Sequence, residues 1–321
     1  MKNTAPLRLT KLDEIADAAG FALAFSEDGH AWASVEAQRI HVGKDGVLER
    51  SIPVEDGRVI GAPRFTKRGT LLAPPFSRAP GASTLTAPFG NVIERLGEGQ
   101  SLAPRGSYAP RAAAISADGA SLFVAGSYHA PSGLHASSGK PAAEARLLRL
   151  THTDGKSIVI DEFAHGEGPD LLALSSTRLA AAGEPLRLYD AANGHPIATL
   201  SGHTGRARSL AFTADGALLA SGGADGQVIT WAAHDGARRQ AATLSKEPVV
   251  GLAFSHDGSL LAVTGWDDQL RIVDASAPGT ILASFALGAH GEAVAFAPDG
   301  ATLLVSVSDA RGTVIRLRVE R

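Results

Sequence analysis

A single phrase recurs along this chain: a short apolar run, then Ser/Thr/Ala-x-Asp-Gly, then a second apolar run. It reads ALAFSEDGHAWASV around Asp28-Gly29, AAAISADGASLFVAG around Asp118-Gly119 and SLAFTADGALLASGG around Asp215-Gly216. It returns as GLAFSHDGSLLAVTG at Asp257-Gly258 and AVAFAPDGATLLVSV at Asp299-Gly300. An altered copy, GAPRFTKRGTLLAPP, carries Arg68-Gly69 at the turn. In DLLALSSTRLAAAG the residues Ser176 and Thr177 take that place. Asp-Gly between two strand-forming runs supplies the positive φ angles of a tight hairpin turn. Each copy therefore predicts a hairpin. Alanine-rich runs elsewhere favour helix, but the Asp-Gly punctuation argues for strands here.

A third apolar run follows each hairpin, such as PLRLYD at 185–190, QVITW at 227–231 or QLRIVD at 269–274. A fourth follows that, such as HPIATL at 195–200 or TILASF at 280–285. Asp215 to Asp257 and Asp257 to Asp299 are each 42 residues apart, and Asp28 to Arg68 is 40. The intervals from Arg68 to Asp118 and from Asp118 to Ser176 are 50 and 58, so they carry insertions. Four-stranded units at this period are the mark of a β-propeller. Seven turns predict an all-β, seven-bladed propeller of antiparallel blades, in one domain over residues 1–321. The last unit has only two clear strands after Gly300, whereas PLRLTKL at 6–12 stands spare before the first repeat. Pairing the two would close the ring and hide both sheet edges. The expected contact runs from Leu7–Leu9 to Val314–Leu317.

Composition narrows the function classes. The net charge of −3 gives no basic field for nucleic acid, and basic residues are not interleaved with aromatics. With no cysteine, disulfides and thiolate–zinc sites are excluded. The first 20 residues hold no apolar run of signal-peptide length, and no stretch approaches a membrane span. The expectation is a cytoplasmic protein with no nucleic-acid or membrane partner. The Ala/Gly-rich composition fits a bacterial source.

One unit carries a fuller signature. The stretch LSGHTGRARSLAFTADGALLASGGADGQVITW, residues 200–231, resembles the WD40 repeat. The family's Gly-His pair matches Gly202-His203, its strand Ser matches Ser221, its tight-turn Asp matches Asp225 and its Trp matches Trp231. The resemblance implies that His203, Ser221, Asp225 and Trp231 form a hydrogen-bonded chain within the blade. Later units keep fragments: Asp267 or Asp268 with Val273-Asp274, then His290, Ser306 and Asp309. The fourth unit offers His165. The first three units diverge, and no unit ends in Trp-Asp. Members of that family often bind protein partners; the expectation that no cofactor is needed rests on the missing channel acids and nucleophile motif.

Several constellations invite a chemical reading and fail it. His203, Ser221 and Asp225 imitate a hydrolase triad, yet in the family the Ser is buried within the blade and lacks an open face for substrate. A metal-dependent propeller enzyme, such as a lactonase, needs Asp, Glu, Asn or His converging on the axial channel. The innermost strands ALAF, GAPRF, AAAI, LLAL, SLAF, GLAF and AVAF are almost all small and apolar. SGLHASSGKPA at 132–142 imitates a phosphate loop, but five residues separate Gly133 from Gly139, and Pro141 stands where Ser/Thr is required. His129, His135, His152 and His165 lack metal-ligand spacing.

Where the repeat breaks, binding candidates gather. Insertions at 73–90 and 126–145 both follow the second strand of a unit, so both predict long loops on one face, exposing Phe76, Phe89, Tyr128 and His129. The same face receives the residue just before each innermost strand. Alignment on the turns puts Arg111, Asp170, Arg208 and Glu292 there, with Arg206 nearby. Arginine is a favoured interface anchor. The function read from the sequence is a non-enzymatic scaffold or recognition module that holds one or more proteins on this face. The alternatives are a propeller hydrolase with an axial metal and a small-ligand sensor.

Overall fold

The computed structural model describes residues 7–36, 38–53, 57–59, 61–66, 71–72, 75–77, 107–129, 145–151, 157–163 and 168–320. Among these, every regular element is a β-strand. The chain opens with β1 (Arg8–Ile15). Blade 1 is β2 (Ala22–Phe25), β3 (Ala31–Val35), β4 (Arg39–Lys44) and β5 (Val47–Pro53). Blade 2 is described as β6 (Gly57–Val59), β7 (Arg64–Phe65), β8 (Leu71–Leu72) and β9 (Pro75–Ser77). Blade 3 is β10 (Ser107–Ile115), β11 (Ser121–His129), β12 (Ala145–Thr151) and β13 (Ser157–Phe163). Blade 4 is β14 (Leu171–Leu174), β15 (Arg178–Ala182), β16 (Leu186–Asp190) and β17 (Pro196–Leu200). Blade 5 is β18 (Ala207–Phe212), β19 (Leu218–Gly223), β20 (Gln227–Ala232) and β21 (Arg238–Thr243). Blade 6 is β22 (Val249–Phe254), β23 (Leu260–Gly265), β24 (Gln269–Asp274) and β25 (Ala277–Ala286). Blade 7 is β26 (Gly291–Phe296), β27 (Thr302–Val307) and β28 (Val314–Glu320), completed by β1. The molecule is a seven-bladed propeller. Six blades are four-stranded sheets, and the described part of blade 2 is two strand pairs.

The recurring phrase makes its turn in a consistent way. In blades 1, 3, 5 and 6 the opening Ser or Thr (Ser26, Ser116, Thr213, Ser255) donates its hydroxyl to the Asp two residues on. The same oxygen accepts the backbone N–H five residues on, at 2.9–3.0 Å. The Gly after the Asp takes a positive φ in each, from 69° to 74°. A short polar side chain thus replaces missing backbone partners and fixes the turn. In blade 4 the loop is two residues shorter. Ser175 keeps the role, accepting the N–H of Arg178 at 3.0 Å, without an Asp-Gly pair.

The core lies in the seams between blades rather than at one centre. One seam packs Leu188 and Leu200 of blade 4 against Leu219, Ile229 and Trp231 of blade 5. Another packs Leu270 and Ile272 of blade 6 against Leu303, Val305 and Leu317 of blade 7. Blade 1 repacks its seam by an exchange. Trp32 sits on β3, and its indole fills the space where a Cβ on Gly43 of β4 would fall. The bulky ring has moved across the sheet to the neighbouring strand, and Trp32 remains 1% exposed.

Ring closure uses the spare N-terminal strand, with a register different from the expected one. Leu9 pairs with Val319, Lys11 with Leu317 and Ile15 with Val314, with a bulge between Lys11 and Asp13. The strand reaches Ile15, further than 6–12. The contact with Val314 therefore belongs to Ile15 rather than to Leu7–Leu9. Asp13 pairs with Arg316 across the closure.

The insertions in blades 2 and 3 also begin differently from the expected loops. Pro75–Ser77 is strand and pairs back with Gly57–Val59, continuing the hairpin of Arg64 opposite Leu72. In blade 3, β10 and β11 stay paired out to Ser107 opposite His129. Both strands run nine residues, against six in the corresponding strands of blades 5 to 7. Each insertion thus starts as an extended β-ribbon. Residues 78–100 and 130–144, which hold Phe89 and His135, lie outside the described residues.

Candidate interaction face

The connections from second to third strand and from one blade to the next emerge on the same face. Its geometry starts from a bulge. In blades 3, 5, 6 and 7 the innermost strand carries one extra residue opposite its partner, between Pro110/Ala112, Ala207/Ser209, Val249/Gly251 and Gly291/Ala293. The extra residues are Arg111, Arg208, Val250 and Glu292. A bulge leaves its residue outside the ladder and re-aims the side chain. Each stands five residues before the first residue of the turn. The same count gives Phe21, Gly61 and Asp170 in blades 1, 2 and 4. Phe21 and Asp170 donate their N–H to Val35 and Ala182, the partners of the next residue in each strand.

Of the residues singled out in the sequence, Arg111, Asp170 and Arg208 are exposed on this ring, and Glu292 is half-buried. Arg111, Arg208 and Glu292 carry no ion pair among the described residues. Arg206 is committed instead. It reaches Asp170 at 3.5 Å, Glu184 at 3.3 Å and the Gly168 carbonyl at 3.4 Å, tying the blade 4–5 connection to the β15–β16 turn. Phe76 lies on β9 opposite Arg58, and Tyr128 and His129 lie on β11 opposite Tyr108 and Ser107. Their side chains, and His152 and His165, lie outside the described residues.

His203, Ser221, Asp225 and Trp231 form one hydrogen-bonded chain. Trp231 Nε1 donates to Ser221 Oγ at 2.9 Å. Ser221 Oγ lies 2.8 Å from His203 Nε2, and His203 Nδ1 lies 3.1 Å from Asp225. Burial pushes the Asp225 carboxyl up. The Thr204 N–H, His203 and the Gln227 N–H outweigh that and hold it below its ordinary value. Ser221 is fully buried, so no substrate reaches it.

The fragments in later blades are rewired. Ser245 stands where His203 stands, twelve residues before the turn Asp, and its hydroxyl bonds Asp267. Asp267 also pairs with Arg271 at 2.6 Å. His290 bonds Asp268 of the preceding blade at 2.8 Å, so it is not the counterpart of His203. Ser306 sits one residue past the Ser221 position and accepts the Gly20 N–H at 2.9 Å, a link between blades 7 and 1. Asp309 is held by Thr313 at 2.6 Å.

Three residues were not read from the sequence. Phe21 and Trp266 are 46% and 43% exposed on this face. The Trp266 ring lies 6.3 Å from the His290 ring. Phe21 stands five residues before Ser26, a count legible in the sequence, but it carries no charge to mark it. Arg64, in GAPRF, is the exception among the apolar inner strands. It donates to the carbonyl oxygens of Ile115 at 3.3 Å and Leu174 at 3.4 Å, the inner strands of blades 3 and 4.

The fold is thus that of a closed β-propeller whose ring of unlike side chains stands on inner-strand bulges in blades 3, 5, 6 and 7. Residues 194–232 and 239–274 match the family model of the WD domain, G-beta repeat (WD40). Two of its repeats thus match the WD40 repeat, and the chain as a whole has the β-propeller fold. Among solved structures it is similar to the β-propeller domain of Cps50 (Swd1) from Myceliophteria thermophila. The TM-score is 0.68 at 11% identity, covering 98% of this chain and 100% of that one. No curated protein matches the chain.

Proposed function

We propose that this protein is a non-enzymatic interaction module that holds one or more proteins on the face carrying the bulge ring and the ribbons of blades 2 and 3. The observation that carries this reading is the ring itself. One position in the repeat carries Phe21, Arg111, Asp170 and Arg208 exposed and Val250 and Glu292 half-buried, at a bulge in blades 3, 5, 6 and 7. Three of these charges are unspent among the described residues. Interfaces draw their energy from a few such anchors, aromatic and Arg above all.

The axial-metal hydrolase is disfavoured by charge. Arg64 directs a guanidinium at the inner edges of blades 3 and 4, and Asp118 acts on it only through space, with no carboxylate at ion-pair distance among the described residues. A fixed positive charge there repels a divalent cation. Nor do three His, Asp or Glu side chains converge to hold a metal among the described residues.

The test is affinity capture from the source cells with the wild type, with Arg111→Glu/Arg208→Glu, and with Glu49→Lys on the outer strand of blade 1 as a surface control. A partner recovered near equal stoichiometry, lost with the ring variant and kept with the control, is expected. Hydrolysis of lactones or esters by pure protein, with no partner recovered, would overturn the reading.

A further inference from the structure

Resting on that reading, we propose that the cleft between blades 7 and 1 receives a lysine or arginine side chain of a basic partner segment, which continues across the Trp266 shelf. The cleft is wide and shallow, about 340 Å³, and Phe21, Glu36, Glu292 and Asp309 are among its lining residues. Three carboxylates and no basic residue line it. An open cleft of this kind suits one side chain of a larger partner better than an enclosed small molecule, which is normally buried over most of its surface.

The carboxylates differ in how far they are already engaged. Asp309 is spent on Thr313 and on the N–H groups of Arg311 and Thr313. Glu36 faces the His41 ring at 3.6 Å. Burial pushes the His41 imidazole down against the pull of Glu36, so it is uncharged near neutral pH and leaves the Glu36 charge uncompensated. Glu292 makes no hydrogen bond or ion pair among the described residues. The nearby Arg311 guanidinium is engaged by Glu14 at 3.1 Å and lies 3.9 Å from Asp309, so the unspent charge of the cleft is that of Glu292 and Glu36. Negative charge is therefore left over in the cleft, and its complement is a cation.

Phe21 decides which kind of cation. Its ring is 46% exposed and forms a wall of the cleft beside the carboxylates. Lys and Arg lay a methylene stem along apolar surface and keep the charged head at the polar end. An aromatic face adds attraction for the head itself. A bare metal ion gains nothing from that wall. The His290 ring, two residues before Glu292, lies tilted 6.3 Å from Trp266 and bonds Asp268, so aromatic surface lies next in line along blade 6. Arg111 and Arg208 stand on blades 3 and 5, so the basic segment docks at one side of the ring only.

Fluorescein-labelled hexa-arginine and hexa-glutamate are the probes, read by anisotropy at low ionic strength. Hexa-arginine is expected to bind saturably and hexa-glutamate not. Glu292→Lys should weaken hexa-arginine by about tenfold and Phe21→Ala by several-fold, because a reversed charge meets the ligand directly. Glu49→Lys makes the same change in net charge on the outer strand of blade 1 and should shift binding by about twofold at most. Equal weakening by Glu292→Lys and Glu49→Lys would mean attraction to the whole molecule and would overturn the proposal, as would binding of hexa-glutamate at similar strength. The two readings fail separately. Partner capture that depends on Arg111 and Arg208, with no Glu292-dependent binding of hexa-arginine, sinks this inference alone. Absence of any captured partner sinks the interaction module.

Discussion

Replacing Ser221 with Val tests whether the polar chain of blade 5 is architecture. The side chains are close in size, and the site has 0% exposure. The change removes an oxygen that serves two buried groups at once, Trp231 Nε1 at 2.9 Å and His203 Nε2 at 2.8 Å. One proton order satisfies the whole chain: Trp231 donates to Ser221, Ser221 to His203, and His203 to Asp225. Valine leaves the indole N–H and the imidazole nitrogen without partners. A buried polar group stripped of its bond costs about 1–3 kcal/mol, so the pair together should cost about 2–4 kcal/mol after the gain from the added methyl. Blades 6 and 7 show the apolar solution to the same position. They carry Val263 and Val305 there, with Val273 and Leu317 in place of Trp231, and all four are buried. In that setting a Val is at home; in blade 5 it stands among polar neighbours. Urea unfolding followed by circular dichroism measures the loss, and hydrogen exchange over residues 203–231 locates it. Trp231→Phe keeps most of the ring and removes only the donor, so a double-mutant cycle should return a coupling of about 1 kcal/mol. A loss under about 0.5 kcal/mol with an unchanged urea slope would refute the assignment.

Three further outcomes follow from the same structure. Asp28, Asp118 and Asp215 are held below the ordinary 3.8 chiefly by the hydroxyls of Ser26, Ser116 and Thr213. A carboxyl depressed on folding stabilises fully above its unfolded value and loses that contribution as pH falls through its folded value. The urea midpoint should therefore drop between about pH 5 and pH 2, and Asp215→Asn should flatten the drop. Trp32 and Trp231 are 1% and 2% exposed against 43% for Trp266, so acrylamide should quench one tryptophan population of three, and Trp266→Phe should abolish the accessible fraction. Deleting residues 1–15 removes β1 and bares the edge of β28, and light scattering should report self-association, because an unpaired edge templates further strands.

The blades were legible because a hairpin turn makes local demands. Ser26, Ser116, Thr213 and Ser255 need their Asp two residues on, and each Gly that follows needs a positive φ, so the code sits within a few consecutive residues. Pairing across the closure was legible in kind but not in register. Sequence spacing near 6–12 gives no account of the bulge at Lys11/Asp13, after which Asp13 stands opposite Arg316. The exchange of bulk between Trp32 and Gly43 was invisible for a related reason. It is a compensation between strands, and neither residue signals it alone. The insertions read as loops because Pro, Ser and Gly dominate them. Pro75–Ser77 and Gly126–His129 are nevertheless strand, paired with Gly57–Val59 and Ser107–Pro110, segments upstream that the turn code does not mark.

The bulge ring separates what the fold requires from what it leaves open. The first residue of the turn is Ser or Thr in six repeats (Ser26, Thr66, Ser116, Ser175, Thr213, Ser255) and Ala297 in the seventh, since the turn uses that hydroxyl. Five residues earlier the same chain presents Phe, Gly, Arg, Asp, Arg, Val and Glu, at places defined by the same backbone. Where that position stands at a bulge, as in blades 3, 5, 6 and 7, its side chain leaves the ladder and is less constrained by pairing, so the copies carry unlike chemistry. Phe21, 46% exposed, and Glu292 line one cleft between blades 7 and 1, so two of these unlike side chains meet at a single place on the ring.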